Sequence, residues 1–299
     1  MSPIRNNSCC PTFLVAVVGP WICILGAVFV DHVVIQELTD FIWIGGHPYD
    51  DDKLKSVTRI LAALGKGITE LEGFYANLPH HKSPDPQRFF PFIRQYSVGE
   101  RIVRFSYKAY LLRKNPEIHA KPIFLATIES GGEGERSRDV VVKFVQTYNA
   151  RAHRLLAAAG YAPELLYCST EDPHSEDLGG LVMAIIEYVP GKTAHERYGN
   201  NPLPQAIFNQ VRNAVETLHI ENIVFADLRP PNIMVTGDER VMLIDFDWCG
   251  VHQKGTYPIS LNDVQELDIS IDWHPDVKRG GRMMKEHDIY RLNTMKPQS

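Results

Sequence analysis

Asp227-Leu-Arg-Pro-Pro-Asn232 lies just before the apolar strand Val241-Met-Leu-Ile244, which runs into Asp245-Phe246-Asp247. No other feature constrains the chain as strongly, because it sets two carboxylates and an amide at the ends of short loops around a buried strand. Such a set suits phosphoryl transfer: Asp227 is placed to accept or orient the proton of an attacking hydroxyl, while Asn232 and Asp245 suit Mg²⁺ on the triphosphate of ATP. The competing reading is a solvent-facing turn rich in Asp and Pro, followed by an unrelated buried strand.

Upstream, Asp139-Val-Val-Val-Lys143-Phe-Val reads as a buried strand carrying one Lys, which needs a partner or a ligand. The alternative is an edge-strand Lys whose ammonium snorkels to water. Gly180-Leu-Val-Met-Ala-Ile-Ile-Glu187-Tyr188-Val189-Pro-Gly191 reads as a strand ending in a Pro-Gly break. From Leu203 to His219, the residues Ile207, Val211, Val215 and Leu218 recur at helical spacing, which predicts a helix with one face packed inward. His219 has no second His or Cys at metal spacing, so packing or capping is expected of it.

Taken in order, these motifs resemble the protein-kinase-like superfamily, and the thirteen residues from Asn232 to Asp245 match the interval protein kinases use. The resemblance implies that Lys143 holds the α- and β-phosphates of ATP and that backbone groups near Glu187, Tyr188 and Val189 pair with adenine. It also implies that Asp227, Arg229 and Asn232 form the catalytic loop, with Arg229 standing where protein kinases carry a Lys directed at the γ-phosphate. Metal ligands would be Asn232, Asp245 and Asp247. The form Asp245-Phe246-Asp247 is closer to aminoglycoside- and choline-phosphotransferase-like enzymes, where a second carboxylate approaches the metal. Phe225-Ala226-Asp227 replaces His-Arg-Asp, so the Arg that answers activation-loop phosphorylation in many kinases is missing. Lys285 to Leu292 resembles the start of the helix whose Asp, here Asp288, holds the catalytic-loop backbone.

Two parts of the pattern are absent. Ser130-Gly-Gly-Glu-Gly-Glu135 has the wrong spacing for a phosphate-covering loop and two repelling carboxylates. It reads as a hairpin tip after the strand Pro122–Thr127, which transfers the covering role to Ser97–Lys108 or leaves the phosphates open. The amphipathic stretch Val145–Ala157 has no acidic residue to pair with Lys143; Arg151 or His153 takes the expected position. Either Lys143 pairs with a carboxylate from elsewhere, such as Asp245, or the site is catalytically weak.

After the metal loop about fifty residues remain, too few for a full C-terminal lobe. Tyr257-Pro258 and Trp273-His274-Pro275 suggest an irregular substrate-facing segment; Lys278, Arg279, Arg282 and Lys285 read as a solvated face or an attractor for an anionic substrate.

At the other end, Phe13 to Val30 carries no charge over a length near the ~18-residue threshold for a membrane helix. Gly19-Pro20 interrupts it and Val is heavily used, which predicts two or three core strands instead. A long amphipathic helix from Leu54 to Leu78, with glycines at 65, 67 and 73, is expected to cover them, and Pro84, Pro86 and Pro91 mark a linker. A net charge of −5 speaks against general nucleic-acid binding, and 44% hydrophobic residues support true cores. Five unpatterned Cys read as reduced thiols of an intracellular, cytoplasmic protein, with membrane association through residues 13–30 as the alternative.

The whole chain resembles kinase-like proteins of mushroom-forming fungi, in which stretches like Gly19–Phe29 and Leu38–Trp43 precede a compact phosphotransferase domain like that around Val224–Asn232. The expected fold class is α+β: a two-lobed protein-kinase-like fold with a truncated C-lobe over residues 96–299, preceded by an N-terminal α/β region over 1–95. The expected activity is ATP- and Mg²⁺-dependent transfer of the γ-phosphate to a hydroxyl, with protein Ser/Thr favoured by the family. A pseudokinase acting as a binding module and a small-molecule kinase of the aminoglycoside or choline type are the alternatives.

Overall fold

The computed structural model describes residues 3–29, 33–46, 51–78, 86–111, 122–129, 137–175, 178–259, 261 and 272–297. The chain divides between Ile93 and Arg94 into two compact units.

In the first unit a short helix α1 (Pro3–Asn7) precedes strands β1 (Thr12–Val18), β2 (Trp21–Phe29), β3 (Val33–Glu37) and β4 (Ile42–Trp43), followed by helix α2 (Asp51–Ala76). β2 is central, antiparallel to β1, β3 and β4, and it carries the buried residues Cys23, Ile24 and Ala27. Gly19-Pro20 forms the turn between β1 and β2, so the uncharged run is sheet, as its punctuation predicts. The expectation that this sheet is buried beneath the helix needs correction. Val17 and Val18 are 62% and 65% exposed, and no residue of α2 is buried. Only the later part of α2 reaches the strands: a Cβ on Gly67 would lie 2.9 Å from the Phe13 ring, and the Tyr75 hydroxyl donates to Pro11 O at 2.6 Å. Leu54 and Leu61 project into solvent, since one helix cannot cover a sheet that is apolar on both faces. Among the described residues no helix is long and apolar enough to cross a membrane.

The second unit is α+β. Its six-stranded antiparallel sheet has the order β5 (Gln95–Val98), β6 (Arg101–Tyr110), β7 (Ile123–Ile128), β8 (Arg138–Val145), β10 (Val182–Glu187), β9 (Leu165–Cys168). The sheet twists so far that its outermost strands meet, with the rings of Tyr96 and Tyr167 5.0 Å apart. Residues 97–108, considered above as a phosphate cover, are strand on either side of a turn at Gly99. Their turn at Gly99 lies beside Tyr167 to His174, because alternating Tyr96, Phe105 and Tyr107 bury one face. β7 and β8 pair antiparallel as a hairpin, whose Gly-rich tip lies outside the described residues.

Helix α3 (Ala150–Ala158) starts later than the amphipathic stretch suggests. β8 runs through Val145, and Asn149 caps the helix by accepting from Ala152 N. Beyond β10 the chain forms β11 (Gly191–Thr193), α4 (Ala194–Tyr198), α5 (Gln205–Ile220), β12 (Ile223–Val224), β13 (Ile233–Thr236), β14 (Val241–Leu243), β15 (Gly250–Val251) and α6 (Lys285–Thr294). The Pro-Gly break after β10 has a steric basis: a Cβ on Gly191 would lie 2.8 Å from Val235 O, so β11 approaches β13 closely only without a side chain. The predicted face of α5, Ile207, Val211, Val215 and Leu218, is buried against Leu156 of α3, Phe225, Phe246, Leu243 and Leu292. At about 1.5–3 kcal/mol for each fully buried aliphatic side chain, this helix is the main anchor of the loops that follow it.

Candidate active site

Three segments meet here: the one between β8 and α3, the loop that leads into β13 and the loop that follows β14. Lys143 is 3% exposed, and its ammonium lies 2.6 Å from Asp245 Oδ1 and 2.5 Å from Asp247 Oδ1. A buried ammonium needs such partners, and the pair answers the question left by α3, which has no acid. Neither Arg151 nor His153 approaches as an ion partner: Arg151 is exposed and pairs with Glu221 at 2.7 Å. His153 is buried, its Nδ1 2.6 Å from the Tyr148 hydroxyl and its Nε2 2.8 Å from Pro163 O, with its ring stacked on Phe246 at 4.3 Å. Burial lowers its pKa to about 4, so at neutral pH it is an uncharged plate. Nε2 then carries the proton donated to the Pro163 carbonyl, and Nδ1 accepts from Tyr148.

Asp227, 3% exposed, is held from two sides. Asn232 Nδ2 donates to its Oδ2 at 2.8 Å and to its backbone carbonyl at 2.9 Å. Arg229 donates from a terminal nitrogen to Oδ2 at 3.0 Å, and its Nε lies 2.9 Å from Oδ1, close enough for an ion pair but without the alignment of a hydrogen bond. The 3₁₀ turn Pro230–Asn232 places these groups, with Asn232 N donating to Arg229 O. Ile244 N donates to Asn232 O at 3.0 Å, which joins this loop to the one carrying Asp245. Two residues here adopt left-handed backbone, Ala226 at φ +69° and Asp245 at φ +71°. Such conformations cost about 1–2 kcal/mol each for residues other than Gly and persist only where surroundings impose them.

Asp288 of α6 supplies part of that constraint. It is 1% exposed and its carboxylate accepts from Phe225 N at 2.8 Å, Ala226 N at 2.9 Å and His219 Nε2 at 2.9 Å. Arg291, one turn further along α6, donates to Leu228 O at 3.1 Å and Asp272 O at 2.6 Å. Nothing in the local sequence marks Arg291 for this role.

The segment expected to pair with adenine has only part of its backbone open. Glu187 N donates to Glu164 O and Tyr188 N to Asp139 O, so these two amides serve the sheet. Cys249 is no nucleophile candidate: desolvation, reinforced by the surrounding carboxylates of Asp288, Asp245, Asp247 and Asp227, holds its thiol well above the usual range. Tyr257 does not face a substrate. It is 1% exposed, with its hydroxyl 3.0 Å from His287 Nδ1, and packs beside Trp248 and Trp273. Of the basic residues near it, Arg279 donates to Leu261 O and Lys285 to Asn222 Oδ1.

Comparison with known proteins bears on the same region. Residues 176–291, less than half of the chain, match the protein kinase domain. This stretch is protein-kinase-like. Similar proteins include Protein kinase PINOID of Oryza sativa subsp. japonica, 38% identical over 71 residues, covering 21% of this chain and 15% of that protein. Sperm motility kinase 2B of Mus musculus is 35% identical over 97 residues, 28% of this chain and 20% of that protein. Serine/threonine-protein kinase KIPK1 of Arabidopsis thaliana is 40% identical over 80 residues, 24% of this chain and 8% of that protein. The chain thus spans a fifth or less of the length of each of these relatives.

Proposed function

We propose that the second unit is a protein-kinase-like phosphotransferase that transfers the γ-phosphate of Mg²⁺-bound ATP to a hydroxyl, with protein Ser or Thr as the favoured acceptor. The observation that carries this reading is the meeting of Lys143 with Asp245 and Asp247 beside Asp227 and Asn232, residues about a hundred positions apart in sequence that share no other evident purpose. On this reading the six-stranded sheet with α3 is the small lobe and the region from β11 to α6 belongs to the large lobe.

The donor set fits a hard divalent cation. Asp245 and Asp247 both touch one ammonium, so their oxygens are at most about 5 Å apart, and Asn232 commits its Nδ2 to Asp227 while its Oδ1 remains for a ligand. When bound, Mg²⁺ would neutralise the charge developing on the transferred phosphoryl group. Lys143 would turn from the carboxylates to the α- and β-phosphates, and Arg229 from Asp227 towards the γ-phosphate. Asp227, relieved of Arg229 but still held by Asn232, would orient the acceptor hydroxyl and take up its proton. Adenine would pair with the carbonyl groups of Glu187 to Val189 and with the amide of Val189.

A pseudokinase is the second reading, favoured by one observation: α3 offers no carboxylate to hold Lys143 in its phosphate-binding position. The two readings separate by mutation. Asp227→Asn should leave ATP binding intact and cut phosphate transfer by roughly 10²- to 10⁴-fold. Asp245→Ala should weaken ATP binding only when Mg²⁺ is present. Wild-type protein that binds ATP without Mg²⁺ dependence and shows no turnover sensitive to Asp227→Asn would decide for the pseudokinase.

A further inference from the structure

The segment that leads into α3 grips the metal loop directly. Thr147 Oγ1 donates to Asp247 O at 2.7 Å, Asn149 N donates to Phe246 O at 3.1 Å, and Asn149 Nδ2 donates to Cys249 O at 3.0 Å. The other end of the same amide, Asn149 Oδ1, accepts from Ala152 N at 3.0 Å and so caps α3. One side chain therefore starts the helix and anchors Cys249, and it can do both only because it carries a donor and an acceptor. The anchored loop needs anchoring, since Asp245 sits at φ +71° and Asp245 and Asp247 must keep their carboxylates turned to one point. We infer that Thr147 and Asn149 are positioning residues that hold the Asp245–Asp247 backbone so that both carboxylates face one divalent cation, doing by hydrogen bonds what no charged residue of α3 does. This rests on the metal-site reading proposed above.

The arrangement permits a separation of roles. In Asn149→Asp the carboxylate still accepts from Ala152 N and suits a helix N-terminus, yet it cannot donate to Cys249 O and sets a negative oxygen against it. Helix capping is retained and the anchor lost. Thr147 is exposed, so Thr147→Val removes a hydroxyl without disturbing the core, and Thr147→Ser restores the donor. The test uses the full chain and calorimetric titration of ATP, in Mg²⁺ and in EDTA. Asn149→Asp and Thr147→Val should each reduce the Mg²⁺-dependent gain in ATP affinity by roughly 10- to 100-fold, the loss typical of outer partners of metal ligands. Affinity in EDTA should stay within about twofold of wild type, and Thr147→Ser should recover most of the Mg²⁺ gain. Wild-type Mg²⁺ dependence in both Asn149→Asp and Thr147→Val overturns the inference while leaving the metal reading standing. Wild-type protein without Mg²⁺ dependence defeats the metal reading instead. Amide hydrogen exchange then decides on the clamp: residues 245–249 should exchange faster in both variants with α3 unchanged, and unaltered exchange overturns it.

Discussion

Lys143→Met removes the ammonium that Asp245 and Asp247 share, while keeping the length of the side chain. The three side chains are 4%, 15% and 9% exposed, so water screens the loss poorly. Removing one partner from a buried ion pair typically costs about 3–5 kcal/mol. A second route gives a similar size: two carboxylate charges about 5 Å apart repel by about 3 kcal/mol at an effective dielectric constant of about 20. For a unit of this size, each kcal/mol shifts the melting temperature by about 2–4 °C, so the second unit should melt at least about 6 °C lower in EDTA.

A divalent cation should then do more for the variant than for wild type. In Lys143→Met the cation meets two carboxylates freed of the ammonium, and at a hundredfold excess over its dissociation constant it should return about 2.7 kcal/mol. In wild type it must first displace the ammonium, and the gain should be smaller. Calorimetric melting of both proteins in EDTA and in millimolar Mn²⁺, without nucleotide, measures the two differences. Equal melting in EDTA, or a Mn²⁺ shift no larger in the variant than in wild type, would refute the view that Lys143 occupies the place of a cation.

Other consequences follow from single contacts. Asp288→Ala strands the buried amides of Phe225 and Ala226 and should cost about 2–6 kcal/mol in urea unfolding, with Asp288→Asn clearly milder because one acceptor oxygen remains. His153 is protonated below about 4 in the folded chain but below about 6.5 when unfolded. Protons therefore favour the unfolded state between those values: the stability is complete above about 6.5, erodes as pH falls towards 4, and totals about 3 kcal/mol at 1.36 kcal/mol per tenfold change. His153→Gln should flatten that stretch of the stability–pH curve. In α2, Gly65→Ala and Gly73→Ala meet open space and should each stabilise the first unit by about 0.5–1 kcal/mol, whereas Gly67→Ala should gain less because its methyl meets Phe13. Equal gains at all three positions in thermal melts would contradict the packing of α2 on β1.

What could be read ahead of the structure was whatever is written in local periodicity or in the spacing of chemically unusual residues. The inward face of α5 follows from four apolar residues at helical spacing, and the meeting of Lys143 with Asp245 from the cost of burying an unpaired ammonium. Asp288 was legible only as a resemblance, since nothing local distinguishes it from a surface carboxylate. Exposure was harder. Val17 and Val18 are as apolar as Val140 and Val142, yet the first pair faces solvent and the second is fully buried, because burial depends on how many elements arrive to cover a strand. The burial of Tyr257 is hidden for the same reason: its covering groups, Trp273 and His287, come from later segments. The signal at Asn149 was present, a capping residue just before an apolar helical run, but a period count running through Val145–Ala157 overrode it. Its bonds to Phe246 and Cys249 span about a hundred residues and leave no local trace.

The absence of an acid on α3 and the second carboxylate at Asp247 are two sides of one arrangement. A helix-borne carboxylate would tie helix to sheet through a charge on Lys143. Here α3 is tied to the metal loop by neutral groups: the Asn149 amide, its backbone N–H, the Thr147 hydroxyl just before it, and the stack of an uncharged His153 on Phe246. Among the described contacts, Lys143 meets two carboxylates and Arg229 meets one, so each cation already has an anionic partner. On the proposed reading, Mg²⁺ and a triphosphate arriving together let both sets exchange partners at once, the carboxylates to the metal and the two basic groups to phosphate. Asp245, Asp247, Lys143 and Arg229 would each keep an oppositely charged partner and Asp227, on giving up Arg229, would keep the Asn232 amide, whereas either ligand alone would strand one set. That physical asymmetry is why nucleotide and divalent cation should bind cooperatively here, and why removing Lys143 should make the metal independent of the nucleotide.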